Sequence, residues 1–381
     1  MDEGDDGPIA MLYFDNAATT LKKPPGVMRA VRRALLECGG NPGRSSHALS
    51  LAAAEGIDAV RVSLAALLGV SQPEHVVFCG NATAALNMAI MTQVRRGDHI
   101  LISDREHNAV YRPVCRLARE GIAEFDVFQA GEDSQKKIEA LLRPTTRLLI
   151  CNHVSNVDGH IAPLQEIGRL CRAHGITLIV DAAQSLGHMP FSAEEIQADV
   201  VCGPGHKGLF GIQGCGFAWF RRGEGLREFL SGGSGSASRL PYMPPTLPER
   251  LEAGTLPTPA IFALGAGLAF LESTTIEAVA EREKRLGTRL EERLSAIPGL
   301  QIYHGGGGGV FSVTSDRLSP DALTAALDQR GLCVRGGLHC APLAHSALGT
   351  VKTGTVRISL SYFNTEAEID RLTAELAALL A

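Results

Sequence analysis

The sequence of 381 residues has no surplus of basic side chains: 36 Lys and Arg stand against 41 Asp and Glu, a formal net charge of -5. That balance excludes a protein whose main task is to neutralise nucleic-acid phosphates. Long apolar runs are missing too. The longest, around Ile261 to Leu271, falls short of the ~20 residues that a membrane-spanning helix requires. The opening Asp2, Glu3, Asp5, Asp6 has neither the basic nor the apolar stretch of an export signal, so a cytoplasmic protein without a membrane partner is expected. The cysteines at 38, 79, 115, 151, 171, 202, 215, 333 and 340 contain no Cys-x-x-Cys pair and no Cys/His spacing of the zinc type. No metal is expected, and the thiols are read as mostly free in a reducing compartment. No internal repeat is found.

What is present is an ordinary globular composition, 45% hydrophobic and 20% charged, with length enough for two domains. Up to about Val200, short aliphatic runs alternate with helical segments, the pattern of parallel strands joined by crossovers. Strands are expected at Val76 to Cys79, Ile100 to Ser103, Arg147 to Cys151, Thr177 to Val180 and Val200 to Cys202. Helical periodicity marks Ala82 to Val94, Ala109 to Glu120, Gln135 to Leu142 and Leu164 to His174. The fold class is therefore α/β, with a doubly wound, mainly parallel sheet. Gly232 to Pro248 is a loop by composition. One long helical region from about Pro259 to Ile297 then leads to a smaller α+β unit, with strands near Val310 to Val313 and Thr355 to Leu360. Its helices run from Pro320 to Arg330, capped by Ser319, and from Thr365 to Leu380.

Gly203, Gly205 and Gly208 match the spacing of a dinucleotide fingerprint after a strand, but no helix is expected to open at the third glycine. The same turn offers Lys207, an amine beside His206. Asp181 follows an apolar strand and reads equally as a ligand-facing carboxylate or a helix cap. Cys79 to Thr83 forms either a plain cap or an anion cradle of free N–H groups at a helix start. His153 to Asn156 and Glu106 to Asn108 close two further strands. An amine, a strand-end carboxylate, a phosphate cradle, an amide and an imidazole are together what pyridoxal phosphate requires. The lysine forms a Schiff base and the carboxylate keeps the pyridine nitrogen protonated.

From Tyr13 to Thr20, through Asp181 to Ser185 and His206-Lys207, to Tyr362 to Thr365, the chain resembles the class V aminotransferase family. Within it, the likeness is to the cysteine desulfurase and selenocysteine lyase branch. The resemblance implies a fold type I transferase with an N-terminal segment (1–20) packed on the small domain, a large cofactor domain (21–260), and a connecting helix with the small domain (261–381). It implies that Lys207 carries the cofactor, that His206, Thr83 and the backbone of Ala82 contact its phosphate, and that Asp181 pairs with the pyridine nitrogen. Gln184 and Asn156 would reach the phenolic oxygen, and His107 would stack on the ring as a catalytic group. Thr255, in Glu252 to Thr255, would be donated across a homodimer interface.

Arg335 to Ala341 is similar to the family's short catalytic-cysteine loop, making Cys340 the nucleophile. Its glycines, His339 and Arg335 suit an accessible thiolate. Arg357 matches the arginine for the substrate carboxylate, with Arg335 and Asn16 candidates for the same pocket, while His345 reads equally as structural. Gly39 to His47 resembles the active-site entrance. One departure stands out: Pro204 replaces the usual Ser or Thr and offers neither hydroxyl nor N–H to a phosphate. The implied activity takes sulfur from L-cysteine, leaving alanine and a persulfide for an acceptor protein or small thiol. The alternatives are L-selenocysteine cleavage, an aminotransferase or C–S lyase, or a silent sulfur-transfer partner.

Overall fold

Aliphatic runs that are apolar at consecutive positions can be covered on both faces, and they are so covered in the computed structural model, which describes residues 11–43, 46–307 and 309–381. The acidic opening and Arg44 and Ser45 of the expected entrance segment lie outside the described residues. The first elements are β1 (Leu12–Tyr13), α1 (Pro25–Leu36), α2 (Ala48–Leu68), β2 (Val76–Cys79), α3 (Ala82–Gln93), β3 (Asp98–Ser103) and α4 (Asn108–Arg119). There follow β4 (Ala123–Phe128), α5 (Ser134–Glu139), β5 (Thr146–Asn152), α6 (Leu164–His174), β6 (Thr177–Asp181), α7 (Ala193–Ile196), β7 (Val200–Pro204) and β8 (Gly216–Phe220). After an irregular segment come α8 (Thr258–Thr274), α9 (Ile276–Ser295), β9 (Leu300–Tyr303), β10 (Val310–Ser315) and α10 (Pro320–Asp328). The chain closes with β11 (Leu332–Cys333), β12 (Arg335–Gly337), α11 (Pro342–Ala347), β13 (Thr355–Ser359) and α12 (Glu366–Leu379).

The large sheet has seven strands in the order β2-β8-β7-β6-β5-β3-β4. Its strands run parallel except β8, which is antiparallel to both neighbours. Side chains alternate between two cores, as a period of two requires. Leu101, Leu149, Leu178 and Val201 face α2, α6 and α8. Ile100, Ile102, Ile150 and Ile179 face α3 and α4. Among the strands missed in the sequence is β4, a sheet edge whose run Ala123 to Phe128 is interrupted by two acidic residues and so has no unbroken apolar stretch. The smaller unit has a four-stranded sheet, β12-β13-β10-β9, under α9, α10 and α12.

Two expectations change. The single helical region is two helices bent by 83° at Thr275, whose φ is 68° and whose hydroxyl accepts from the Ala278 N–H. A domain boundary at 261 also splits α8, yet Ile261, Leu264, Leu268 and Leu271 lie in the core of the large sheet. The division therefore falls at Thr275. At the other end, β1 pairs with β11 and Phe14 enters the small-unit core. Among the described residues, no single helix is long and apolar enough to cross a membrane.

A buried ion pair holds the start of the large sheet to the 252–255 turn. Arg61 Nη2 lies 2.6 Å from Glu252 Oε2, and Glu252 Oε1 accepts from the Phe78 N–H at 2.6 Å. Removing one partner strands a buried charge. Glu252→Ala is therefore expected to lower unfolding free energy by about 3–5 kcal/mol, read from urea denaturation. Truncating the exposed Arg33–Glu37 pair should cost less than about 1 kcal/mol.

Candidate active site

The carboxyl ends of parallel strands in an open α/β sheet converge on a crevice, and most of the expected site residues lie there. Asp181 is the last residue of β6. No helix begins after it until Ala193, so the capping reading falls away. Its carboxylate accepts from the Ala183 N–H at 2.9 Å. Burial pushes its pKa up, against the pull of that N–H and of the Lys207 ammonium. Lys207 stands in the turn after β7. Burial lowers its amine from 10.5 to about 8, with Asp181 opposing and Arg357 and Arg335 adding to the fall. The turn continues as loop, so no dinucleotide helix opens at Gly208. A Cβ on Gly208 would lie 2.4 Å from the Leu186 carbonyl oxygen and 2.6 Å from the His188 ring, which restricts the position to glycine. His188 is itself fixed by Glu283 of α9, 2.8 Å away.

His206 turns its carbonyl to the N-terminal segment, accepting from the Thr20 N–H at 3.2 Å and from Lys23 Nζ at 3.1 Å. Its Nδ1 is buried without a protein partner. Burial and Lys207 lower its pKa to about 4. His107 caps α4, its Nδ1 accepting from the Ala109 N–H at 3.0 Å, which leaves any proton on Nε2. Burial, reinforced by Lys207, Arg335 and Arg357, lowers its pKa to about 4. The ring is neutral at pH 7. Asn81 caps α3 through its Ala84 N–H contact at 2.9 Å, and Thr83 lies exposed in the first turn. Gly216 brings that turn to the lysine loop: a Cβ there would meet the Asn81 backbone at 2.3 Å, while the residue pairs with Pro204. The Gly205 N–H donates to the Cys215 carbonyl at 2.9 Å. Pro204 therefore occupies a non-hydrogen-bonded pair, where the missing N–H breaks no contact with β8.

Several residues have other partners than expected. Gln184 Nε2 donates to the Ala17 carbonyl at 2.9 Å and Asn156 Nδ2 to the His339 carbonyl at 2.8 Å. Neither amide nitrogen points freely at a phenolic oxygen, and Asn156 Oδ1 is left buried without a partner. Asn16 Nδ2 donates to the Ser359 carbonyl at 2.9 Å and to Asn364 Oδ1 at 3.2 Å. Its donors clasp the small unit rather than line the pocket. His345 is buried against Thr350 at 2.8 Å, a structural placement. Thr255 is exposed, its hydroxyl accepting from Asn41 Nδ2 at 3.3 Å.

Arg357 is 1% exposed on β13; its Nη2 meets Asp15 Oδ1 at 2.5 Å and its Nη1 donates to the Asn156 carbonyl at 3.1 Å. Its Nε has no partner. Sequence reasoning gives Asp15 no role; its place beside Asn16 in the 13–20 motif is the signal that could have found it. Arg335 lies directly opposite Arg357 in the ladder, and its Nη2 is 3.8 Å from the Cys340 sulfur. Cys340 is exposed, and its carbonyl accepts from the Asn108 N–H at 2.7 Å. The Cys340 backbone is thereby tied to the start of the helix that His107 caps. Glu106, which sequence reasoning placed only at a strand end, is buried and accepts from Ser103 and from the Asn152 N–H. Burial raises its carboxyl to about 8.

These residues fit pyridoxal phosphate. A lysine of depressed pKa and a buried carboxylate occupy adjacent strand ends, a neutral imidazole lies within their field, and a helix start lies beside them. His206 Nδ1 and Asn156 Oδ1 are unmatched polar atoms awaiting a ligand.

The class V aminotransferase family model matches residues 12–372. A protein of Methanothermobacter thermautotrophicus named a probable cysteine desulfurase is 33% identical over 373 residues, spanning 95% of this chain and 92% of its own length. A Xylella fastidiosa protein of the same name is 33% identical, spanning 95% of this chain and 89% of its own. Among solved structures, the apo cysteine desulfurase of Thermococcus onnurineus NA1 superimposes with a TM-score of 0.88 at 29% identity, over 97% of this chain and 94% of that one.

Because only the neutral amine attacks an aldehyde, capture of pyridoxal phosphate by the apo-protein should rise with pH to a plateau with a midpoint near 8. Asp181 favours the ammonium, so Asp181→Asn should move that midpoint down. Borohydride trapping with peptide mass analysis at Lys207 measures both. A midpoint unmoved or raised in the variant contradicts the electrostatic assignment.

Proposed function

The chain belongs to the class V aminotransferase family, and from that premise we propose that it acts as a pyridoxal-phosphate-dependent cysteine desulfurase. The observation that carries this reading is the exposed Cys340 sulfur, 3.8 Å from Arg335, on a loop hydrogen-bonded to the N-terminus of α4. An aminotransferase has no need of a thiol held there. The bound cofactor supplies a ring that takes up electrons from the substrate carbon. Lys207, with an amine pKa near 8, can both take and return a proton at Nζ near neutral pH. Arg357 offers its unpartnered Nε to the substrate carboxylate, and Asp181 supplies the fixed negative charge under the site. His107, neutral and half-buried at the start of α4, adds nothing to the positive charge of the two arginines.

The sulfur step balances without an external oxidant. The Cys340 thiolate attacks the sulfur of L-cysteine, an S–S bond forms, and the substrate Cβ–S bond breaks. The carbon fragment gains a proton and leaves as alanine, and the sulfur stays as a persulfide. An acceptor thiol then takes it. Thr255, exposed at the end of a turn anchored by the buried Arg61–Glu252 pair, supports a homodimer in which each subunit completes the other's phosphate site. Nine unpaired cysteines support a reducing, cytoplasmic setting.

Cys340→Ala should keep the cofactor's visible absorbance and lose alanine release from L-cysteine by roughly a hundredfold or more. In the wild type, mass analysis should find one added sulfur on the Cys340 peptide. Undiminished turnover in the variant contradicts the reading. A parallel assay with L-selenocysteine separates the lyase, which would survive the substitution.

A further inference from the structure

Resting on the desulfurase reading, we infer that the outer face of α4 is the docking surface for the sulfur acceptor, and that the acceptor is an acidic protein segment carrying a thiol. A groove of about 670 Å³ opens beside Cys340, with Tyr111, Arg112, Arg116, Arg119 and Leu338 among its walls. Positions 112, 116 and 119 recur at intervals of four and three, so their guanidinium groups form one stripe along the helix. All three are exposed. Among the described residues, Arg112 and Arg119 make no ion pair, and Arg116 has a 3.9 Å contact with Glu120 and donates to Met91 Sδ at 3.3 Å.

The simpler account is that cations near a helix C-terminus are favoured by the macrodipole. It covers Arg116 and Arg119 in the last turn but not Arg112 nearer the N-terminus, nor the alignment of the stripe with the reactive sulfur. The chain as a whole is acidic, at -5, so three exposed arginines on one groove with a single long ion pair among them are not its background. Register fixes the geometry further. The Cys340 carbonyl is bonded to the Asn108 N–H, which sets the thiol at the first residue of α4. From there to Arg119 the helix rises about 16 Å, the length of roughly five extended residues. A small thiol needs only the mouth of the groove. A chain segment with its thiol at Cys340 and carboxylates beyond it would use the whole stripe, with Leu338, 37% exposed, and the half-buried Tyr111 as apolar contacts. In the transfer, the acceptor thiolate attacks the terminal sulfur of the Cys340 persulfide. The old S–S bond breaks, a new one forms on the acceptor, and Cys340 leaves as a thiolate beside Arg335.

The test uses holoenzyme turning over L-cysteine, with alanine measured against several acceptors. These are dithiothreitol, the small dianionic thiol mercaptosuccinate, and peptides of equal length with one cysteine among acidic, neutral or basic residues. Arg112 lies within electrostatic reach of His107, so it is left in place and Arg116→Glu/Arg119→Glu is the variant. The acidic peptide should exceed the neutral one by about tenfold in kcat/KM, an advantage that fades with salt. The variant should lose that advantage, work better with the basic peptide, and keep its dithiothreitol rate. An acidic-peptide advantage that is absent, or unchanged in the variant, overturns the docking inference while dithiothreitol turnover keeps the desulfurase reading intact. Mercaptosuccinate matching the acidic peptide also overturns it, assigning the stripe to small anions. No alanine with dithiothreitol defeats the underlying reading instead. If the reversed pair does not fold, Arg116→Gln/Arg119→Gln and the salt dependence of the wild type decide the same question.

Discussion

The site is assembled around one buried guanidinium. Arg357 is almost wholly enclosed, and an uncompensated charge in such a place costs several kcal/mol. Its carboxylate comes from Asp15, 342 positions away, and a carbonyl from Asn156, 201 positions away. Satisfying this charge brings the N-terminal segment, the small-unit sheet and the loop after β5 to one point. The ladder places Arg335 directly across from Arg357, and like charges so placed repel. Asp15 is what makes the pair tolerable, and the surplus positive charge is left facing the cleft where an anionic group is to bind.

The imidazoles in the cleft do not add to that charge. His107 and His206 are both held near pKa 4, each by burial first and by neighbouring cations second. His339 is lowered in the same way, by burial and then by Arg357. Cationic character therefore resides in two arginines and one lysine, which have separate tasks. The arginines offer planar forks suited to holding an anion. Lys207 sits in the turn after β7 where its proton can come and go, and the buried carboxylate of Asp181 keeps its pKa from falling further.

How far all this could be read in advance follows from the range over which each signal acts. The parallel strands were legible because strands buried on both faces need unbroken apolar runs, and β2 and α6 have the expected limits. Lys207, Asp181, His107 and Cys340 were legible because each stands at a strand end or in a glycine-rich turn beside a telling neighbour. β4 was not, because an edge strand may be polar and still be held by its ladder, as Glu124 and Asp126 are. The bend at Thr275 escaped because a left-handed φ on a threonine has no signature in composition. The partners of Gln184, Asn156 and Asn16 escaped for a different reason. An amide's bonding depends on which carbonyl the fold brings within 3 Å, and those carbonyls belong to distant segments.

The loop bearing Cys340 shows what positioning the thiol requires. His339 and Cys340 have φ values of 49° and 58°, and the Ala341 N–H donates to the Leu338 carbonyl at 2.9 Å. Two positive φ values inside a closed four-residue turn describe the type that favours Asn-Gly, because it places a Cβ in an unfavourable region twice. Such strain, about 1–2 kcal/mol per residue, persists only where the surroundings outweigh it. Here they do so through the backbone: the His339 carbonyl is held by Asn156, the Cys340 carbonyl by Asn108, and the His339 ring by Thr355. Every backbone anchor acts on a carbonyl or on His339, and the Cys340 side chain itself has one long contact, Arg335 Nη2 at 3.8 Å from the sulfur. The consequence is a thiol whose base is fixed relative to Lys207 and Arg357 while its exposed sulfur is held by a single long contact. It can face the cleft to receive an atom and the α4 groove to give it up.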